Sequence, residues 1–483
     1  MPKTFNQALK STESKFWNDA IEKEWNAMFF NKVFEFVDRP HKKNMVKSKW
    51  VFDKKINEKG EVTRYKARLC AKGFSQVSGV DYHLTYAPTI DRTTINVILT
   101  YCLANNLIVK QFDVETAFLQ APLQEDIYME IPDGFSDRYP KNQVIHLLRA
   151  IYGLKQSSKA FNDKLTKVLT QLGWVQLKSD LCLFKRNAEI LAAFVDDCIV
   201  GVTNESSYQI ILEEIAPSLK LVDLGDIKHF LKIKVDYDVD KQYCKLSQPV
   251  FIKEILEGAS MNECAPKYTV LDPHTQLCKG EESEGMKTKP FREILGQLIY
   301  LATCTRPDIY YAVVKLSQFN NCFNSTHWNQ LMHLLCYLKA TENDGLVLSP
   351  GDLRIRTYTD ADWGGNIDNR RSTSGILILL GNSVVLWKSK TQKTVAHSTM
   401  EAEFKALASG VSFSICIMAL KGENYKGRSK HNEIHFHIVK EIIESSDIVL
   451  NYVQTGNNVA DMLTKVLTRD KLQFLKQKLN IGV

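Results

Sequence analysis

Two adjacent carboxylates, Asp196 and Asp197, close an apolar run from Leu191 to Val200 (LAAFVDDCIV). In a tight hairpin between two buried strands such a pair repels itself and sits badly in a core unless a cation joins it. A third carboxylate, Asp113, falls where the strand pattern of Lys110–Phe118 (KQFDVETAF) gives out into a turn. Three such groups can hold two Mg2+ roughly 3.5–4 Å apart, the spacing that activates an attacking oxygen and stabilises a leaving one. Mg2+ needs only one or two carboxylates plus substrate phosphates, so this small set of acids suffices, and Mn2+ can stand in for it. The chemistry is that of nucleotide polymerisation. The competing account is two solvated turn aspartates and an unrelated helix cap at Asp113, since aspartates are common in turns.

The elements that would carry these acids are legible as patterns. Phe16, Trp17, Ala20, Ile21 and Met28 predict a helix over 12–30 with Ser11 as N-cap. Strand patterns at 49–54 and 65–70 flank a turn at Asn57–Gly60. A helix over 93–105 precedes the Asp113 strand, a second over 159–172 precedes a strand toward Phe184, and others follow at 206–220 and 248–257. Strand, helix, strand, hairpin is an antiparallel sheet backed by helices, of the ferredoxin-like kind. The stretch 259–290, with Pro266, Pro273, Gly280 and the acidic Glu281–Glu284, reads as a loop-rich boundary before helices over 291–312 and 326–340. Beyond these, strands near 354–360, 374–380 and 383–389 form a meander, followed by a helix after Ser398. Repeats and low-complexity segments are absent.

Composition sets limits. A chain of 483 residues, 44% hydrophobic and 24% charged, is ordinary globular material for two to four domains. A net charge of +7 permits nucleic-acid binding without requiring it. Eleven cysteines without a Cys-x-x-Cys pair read as reduced, buried thiols of a cytoplasmic or nuclear protein. No apolar stretch approaches the roughly 20 residues that span a bilayer, and the N-terminus has no signal-peptide core, so neither a membrane nor a secreted protein is expected.

The surrounding words carry a family resemblance. Trp50–Phe52, Tyr65–Gln76 (YKARLCAKGFSQ), Phe112–Leu119 (FDVETAFL) and Tyr128–Phe135 (YMEIPDGF) occur in order. Ala150–Ser157 (AIYGLKQS), Phe194–Asp197, Leu224–Leu231 (LGDIKHFL) and Thr305–Ala312 (TRPDIYYA) follow. Together they resemble the reverse transcriptase of copia-type long-terminal-repeat retrotransposons. The resemblance implies an α+β fold: a right-hand polymerase with fingers, ferredoxin-like palm and thumb, then an incomplete ribonuclease H-like α/β domain. The expected divisions are 1–258 for fingers and palm, 259–345 for thumb or connection, and 346–483 for the tail. It implies RNA-directed DNA synthesis, with Asp113, Asp196 and Asp197 as catalytic metal ligands. RNA template, DNA primer, their hybrid and dNTP would be the partners, with a homodimer or other retroelement proteins as further associations and virus-like particles as a possible setting. Lys66 or Arg68 would grip the triphosphate, unless both lie on a solvated strand face. Phe118 would underlie the sugar and exclude a 2'-hydroxyl, or else simply pack in the core. Gly153 and Gln156 would face the nascent base pair. Departures from the family pattern are Ser158–Phe161 (SKAF) and Lys232, which replaces a usual glycine.

The last third, through Tyr358–Gly365, Arg370–Gly375, Thr391–Phe404 and Asn458–Lys465, resembles the ribonuclease H domain of the same elements. Asp360, Glu401 and Asp461 match three of its four carboxylates. The fourth has no counterpart: no aspartate occurs between Ala402 and Ser446, and an internal deletion near Ser414–Ile417 is expected. Glu423 is a poor substitute. His431, His435 and His437 have a spacing that scatters them over a helix surface, so they read as solvated or structural rather than as zinc ligands. Ribonuclease H activity is therefore expected to be lost. The upstream knuckle, protease and integrase signatures of such elements are missing, so the chain reads as a polyprotein fragment. Two other functions compete: an inactive relic or domesticated nucleic-acid binder, and a palm-bearing nucleotidyl cyclase.

Overall fold

Aromatic residues organise the first part of the molecule. The computed structural model describes residues 1–56, 62–280, 285–420 and 448–482, so Asn57–Gly60, Glu281–Glu284, Glu423 and the three histidines named above lie outside the described residues. Short α1 (Phe5–Leu9) precedes α2 (Ser14–Phe30), which buries Trp17, Ile21, Trp25 and Met28 along one helical stripe. The expected N-cap, Ser11, instead closes α1 by donating to the Ala8 carbonyl (2.8 Å). Glu13, just ahead of α2, is held by Lys54 and Tyr65 (2.7 and 2.8 Å). Next come β1 (Phe34–Asp38), β2 (Met45–Val46) and the antiparallel hairpin of β3 (Ser48–Ile56) and β4 (Val62–Ala71). Trp17 packs edge-on to Phe52 and Tyr65, with ring centroids 5.3 and 4.8 Å away, which docks α2 on that hairpin.

The central unit begins with α3 (Arg92–Ala104), whose N-cap Asp91 accepts from the Thr93 N–H (2.8 Å). There follow β5 (Ile108–Val114), the one-turn α4 (Ala117–Gln120), β6 (Pro122–Met129), β7 (Gln143–Arg149) and α5 (Ser157–Gln171). Then come β8 (Val175–Gln176), β9 (Leu183–Arg186), β10 (Glu189–Phe194), β11 (Asp197–Val202), α6 (Glu205–Ile215) and β12 (Leu221–Asp226). A six-stranded antiparallel sheet runs β12-β5-β11-β10-β9-β8, and a second sheet runs β1-β7-β6-β2. Within the first, β5, α5, β10, β11, α6 and β12 reproduce the β-α-β-β-α-β connectivity, with β11 between β5 and β10. Strand β5 is therefore interior: Val109, Phe112 and Val114 are buried, and Asp113 stands near its end.

A third sheet, β13-β14-β15-β16, joins β13 (His229–Phe230), β14 (Ile233–Asp238) and β15 (Tyr243–Ser247) to β16 (Gly345–Leu348). Between β15 and β16 lie α7 (Pro249–Gly258), α8 (Phe291–Cys304), α9 (Tyr310–Ser317) and α10 (Ser325–Ala340). The helix expected over 291–312 is thus two helices. Pro307 lacks an N–H, and the break houses a buried pair: Arg306 Nε and Nη2 donate to Asp308 at 2.9 and 2.7 Å. Tyr337 donates to the same carboxylate (2.7 Å). Burial opposes ionising Asp308, but the guanidinium beside it prevails and holds its carboxyl well below the usual range.

The tail forms a meander of β17 (Ile355–Ala361), β18 (Thr373–Leu380) and β19 (Ser383–Thr391), with α11 (Thr399–Leu420) on it. Ser414–Ile417 lies inside α11, which is unbroken to Leu420. Helix α3 is buried on nearly every side, its polar Thr94, Asn96 and Thr100 included, because both units claim it. Ile95, Ile98 and Leu99 join the main core, while Val97 packs with Ile376, Ile378 and Leu380 of the tail. The cysteines of the described residues are free, and Cys416 is exposed rather than buried as expected. Among the described residues no helix is long and apolar enough to cross a membrane.

Candidate functional site

Strand register gathers the three acids. Asp113 on β5 and Asp197 on β11 are direct cross-strand partners, which sets their Cβ atoms about 5 Å apart. Asp196 is the second residue of the two-residue turn between β10 and β11, fixed when its carbonyl accepts from the Val114 N–H (2.8 Å). The first turn residue, Val195, has φ +55°, a left-handed conformation that a β-branched side chain resists. Such strain persists only where the surroundings enforce it, and here it falls between the β10 strand and the paired acids.

The electrostatics are those of crowded anions. Burial, with the charges of Asp113 and Asp196, raises the Asp197 carboxyl to about 6, against a lowering hydrogen bond from Gln111 (2.7 Å). Hard, mutually repelling oxygens at the end of a sheet fit a divalent cation such as Mg2+. Among the described residues no three His, Cys, Asp or Glu side chains close round an ion unaided. A cation here would complete its shell with water and, once substrate is bound, with phosphate oxygens.

A ladder of side chains leads from the acids to the β3–β4 hairpin. Thr116, in a left-handed conformation, turns the chain after β5 into α4 and presents Phe118 half-buried. Phe118 meets Tyr152 edge-on (4.9 Å, 69°), and the Arg68 guanidinium lies over the Tyr152 ring at 5.1 Å. Burial raises the Tyr152 hydroxyl; Arg68 opposes that shift and Asp196 adds to it, so the ladder feels both ends. The Arg68 Nε is buried without a hydrogen-bond partner, a donor that suits an anionic oxygen. Lys66 shares the Arg68 face of β4, opposite Ala67 and Leu69, and both cations lower the Glu24 carboxyl that burial raises.

Gly153 and Gln156 have packing duties instead of open faces. Gly153 has φ +88°, and a Cβ there would meet the Ala71 carbonyl oxygen at 2.2 Å. The close approach it permits is to the end of β4. Gln156 is 3% exposed; its Oε1 accepts from Gln76 (3.0 Å) and its Nε2 donates to the Asp81 carbonyl (2.8 Å). Both ends of the amide are engaged in holding the loop after β4.

In the tail, Asp360 on β17 accepts from Thr464 Oγ1, and Lys465 Nζ lies 3.8 Å from Asp360 and 2.9 Å from Asp461. Glu401 points elsewhere, to Lys405 and the His397 N–H (both 2.7 Å). The carboxyl that opens beside Asp360 belongs to Glu403, raised by partial burial and then by the Asp360 charge, with Asp461 adding to it. The sequence held a signal for it. Met400, Glu403, Leu407, Val411 and Met418 recur at helical spacing and line one cleft against β17.

Comparison with known proteins comes to the same region. Residues 31–273 match the family model described as reverse transcriptase (RNA-dependent DNA polymerase). The retrovirus-related Pol polyprotein from transposon TNT 1-94 of Nicotiana tabacum is 32% identical over 99% of this chain, and that from transposon RE1 of Arabidopsis thaliana is 33% identical over 99%. The chain spans 38% and 34% of their lengths. Each alignment runs over 511 positions although the chain has 483 residues, so both relatives carry residues that this chain lacks. A foamy viral protease-reverse transcriptase solved in complex with double-stranded DNA is similar at a TM-score of 0.48 and 10% identity, over 90% of this chain and 69% of its own.

Proposed function

The chain belongs to the reverse transcriptase (RNA-dependent DNA polymerase) family, of the kind carried by copia-type retrotransposons, and on that premise we propose that it copies RNA into DNA from a primer. The observation that carries the reading is the register of Asp113 with Asp197, next to the Asp196 turn. The six-stranded sheet is the palm of a right hand, the β3–β4 hairpin with α2 the fingers, and α8 to α10 the thumb. The tail is an incomplete ribonuclease H-like domain.

Asp113, Asp196 and Asp197 would hold the divalent ions, which would supply activation of the attacking hydroxyl and neutralise charge gathering on the phosphates. The primer 3'-hydroxyl gives up its proton to water and forms a bond to the α-phosphorus of dNTP as the bond to the β-phosphate oxygen breaks, releasing pyrophosphate. Arg68 and Lys66 bind the triphosphate, with the unpaired Arg68 Nε directed to an oxygen. Tyr152 keeps the Arg68 plane in place, and Phe118, braced edge-on by Tyr152, excludes a 2'-hydroxyl beneath the sugar. Phosphate contacts along the template make binding steeply salt-dependent.

Hybrid cleavage is lost in this reading. Asp360, Glu403 and Asp461 make three of four carboxylates, and the Lys465 ammonium already neutralises two of them. Primer extension on poly(rA)/oligo(dT) with Mg2+ and dTTP tests the proposal against Asp196→Asn. Extension by the native chain that vanishes in the variant supports it. Folded protein that binds the hybrid without extending it would make the chain a binding relic.

A further inference from the structure

Gln111 lies on the same face of β5 as Asp113, two residues earlier, and only 6% of it is exposed. Its Nε2 donates to Asp197 Oδ1 at 2.7 Å. Its backbone is held from behind: the hydroxyl of the fully buried Tyr208 donates to Asp223 Oδ1 (2.6 Å) and sits 3.0 Å from the Gln111 carbonyl oxygen. Asp223 also accepts from the Gly225 N–H (2.8 Å), at a bulge where β12 passes Gln111 and Phe112. Next to it, Lys110 is tied to Glu205 and Asp226 at 2.5 and 2.8 Å. A strand so fixed gives the Gln111 amide little freedom.

The consequence falls on Asp197. An aspartate carboxyl turns over a broad two-fold torsion, so its oxygens exchange readily unless one is held. We propose that Gln111 is the positioning residue of the cation site: by occupying Oδ1 it leaves Oδ2 as the single oxygen that Asp197 offers a metal. One oxygen per carboxylate suits the strict octahedron of Mg2+ or Mn2+, whereas Ca2+ readily takes both. The inference rests on the polymerase reading above, and it extends that reading to a residue that touches neither substrate nor ion.

Mn2+ itself is the probe. Its affinity for the full-length chain, without nucleotide, is read by electron paramagnetic resonance alongside steady-state primer extension. Gln111→Met keeps the volume and removes the donor; Gln111→Asn, an amide one methylene too short, serves if the methionine variant fails to fold. Outer-shell partners of metal ligands typically contribute about 10–100-fold in affinity, so the variant should bind Mn2+ about tenfold more weakly. Its kcat should fall while KM for dTTP stays within about twofold, a split that general loosening of the sheet would not produce. In an Asp197→Asn background the same substitution should be silent, because Gln111 acts only through that carboxylate. Unchanged Mn2+ affinity in Gln111→Met, or an equal loss in both backgrounds, overturns the role of Gln111 and leaves the polymerase reading intact. A native chain that neither binds Mn2+ nor extends a primer overturns both.

Discussion

At the scale of single residues, Asp197 carries the sharpest consequence. Its carboxyl is raised to about 6 in the folded chain, above the roughly 3.9 of an unfolded aspartate. The folded state thus prefers the proton, so its contribution is most favourable below about pH 4 and is lost as pH rises through 6. Metal-free protein in chelator should lose melting temperature between about pH 4 and 6, by a few degrees at most after solvent screening. Asp197→Asn should flatten that slope in a calorimetric pH series; an unchanged slope would show that the carboxyl is not crowded. The acids themselves were legible because a strand end and a two-residue hairpin leave few other places for charge in an apolar run. The neighbour Gln111 was not, since nothing in KQFDV says which way an interior strand turns its amide. Glu401 and Glu403 differ by about 200° of helix rotation, and the motif alone does not fix which faces β17.

At the scale of elements, one turn bears on a departure that the family resemblance leads one to expect, at Lys232. Leu231 and Lys232 form the turn between β13 and β14 with φ +50° and +60°. Two positive φ angles in a two-residue hairpin turn are the geometry that favours Asn-Gly, and a side chain there costs about 1–2 kcal/mol per residue. The glycine expected at 232 therefore has a backbone reason. Lys232→Gly should stabilise the chain by about 1 kcal/mol, less than the full relief because glycine also frees the unfolded chain. Urea unfolding measures it; a lower midpoint would mean that the Lys232 ammonium over Phe251, 6.0 Å from the ring centroid, contributes more than the strain removes. Element types were readable from apolar periodicity in most segments. The break at Pro307 was not taken from the pattern, because apolar residues keep helical phase on both sides of it and the deciding Arg306–Asp308 pair is a tertiary contact.

At the scale of the whole molecule, the tail is more than an appendage. Trp387 on β19 is 5% exposed and donates to the Ala302 carbonyl at the end of α8 (2.9 Å). Asn96 of α3 donates to Val385 (3.3 Å), and Lys476 of the C-terminal helix Arg469–Lys478 reaches Asp344. Such shared packing is invisible to sequence periodicity, which reports that α3 is a helix but not what covers each of its sides. Trp387→Ala should cost about 3–5 kcal/mol. Primer extension should fall with it at 37 °C and recover at 20 °C. Full extension at 37 °C beside a lowered melting point would instead mark the tail as an independent body. The central claim concerns the paired acids, and rapid-quench incorporation of one dTMP on an rA/dT hybrid in Mg2+, native chain against Asp113→Asn, tests it most directly. The account predicts a loss of about a thousandfold or more in rate with hybrid affinity unchanged. Incorporation at the native rate by Asp113→Asn would contradict it.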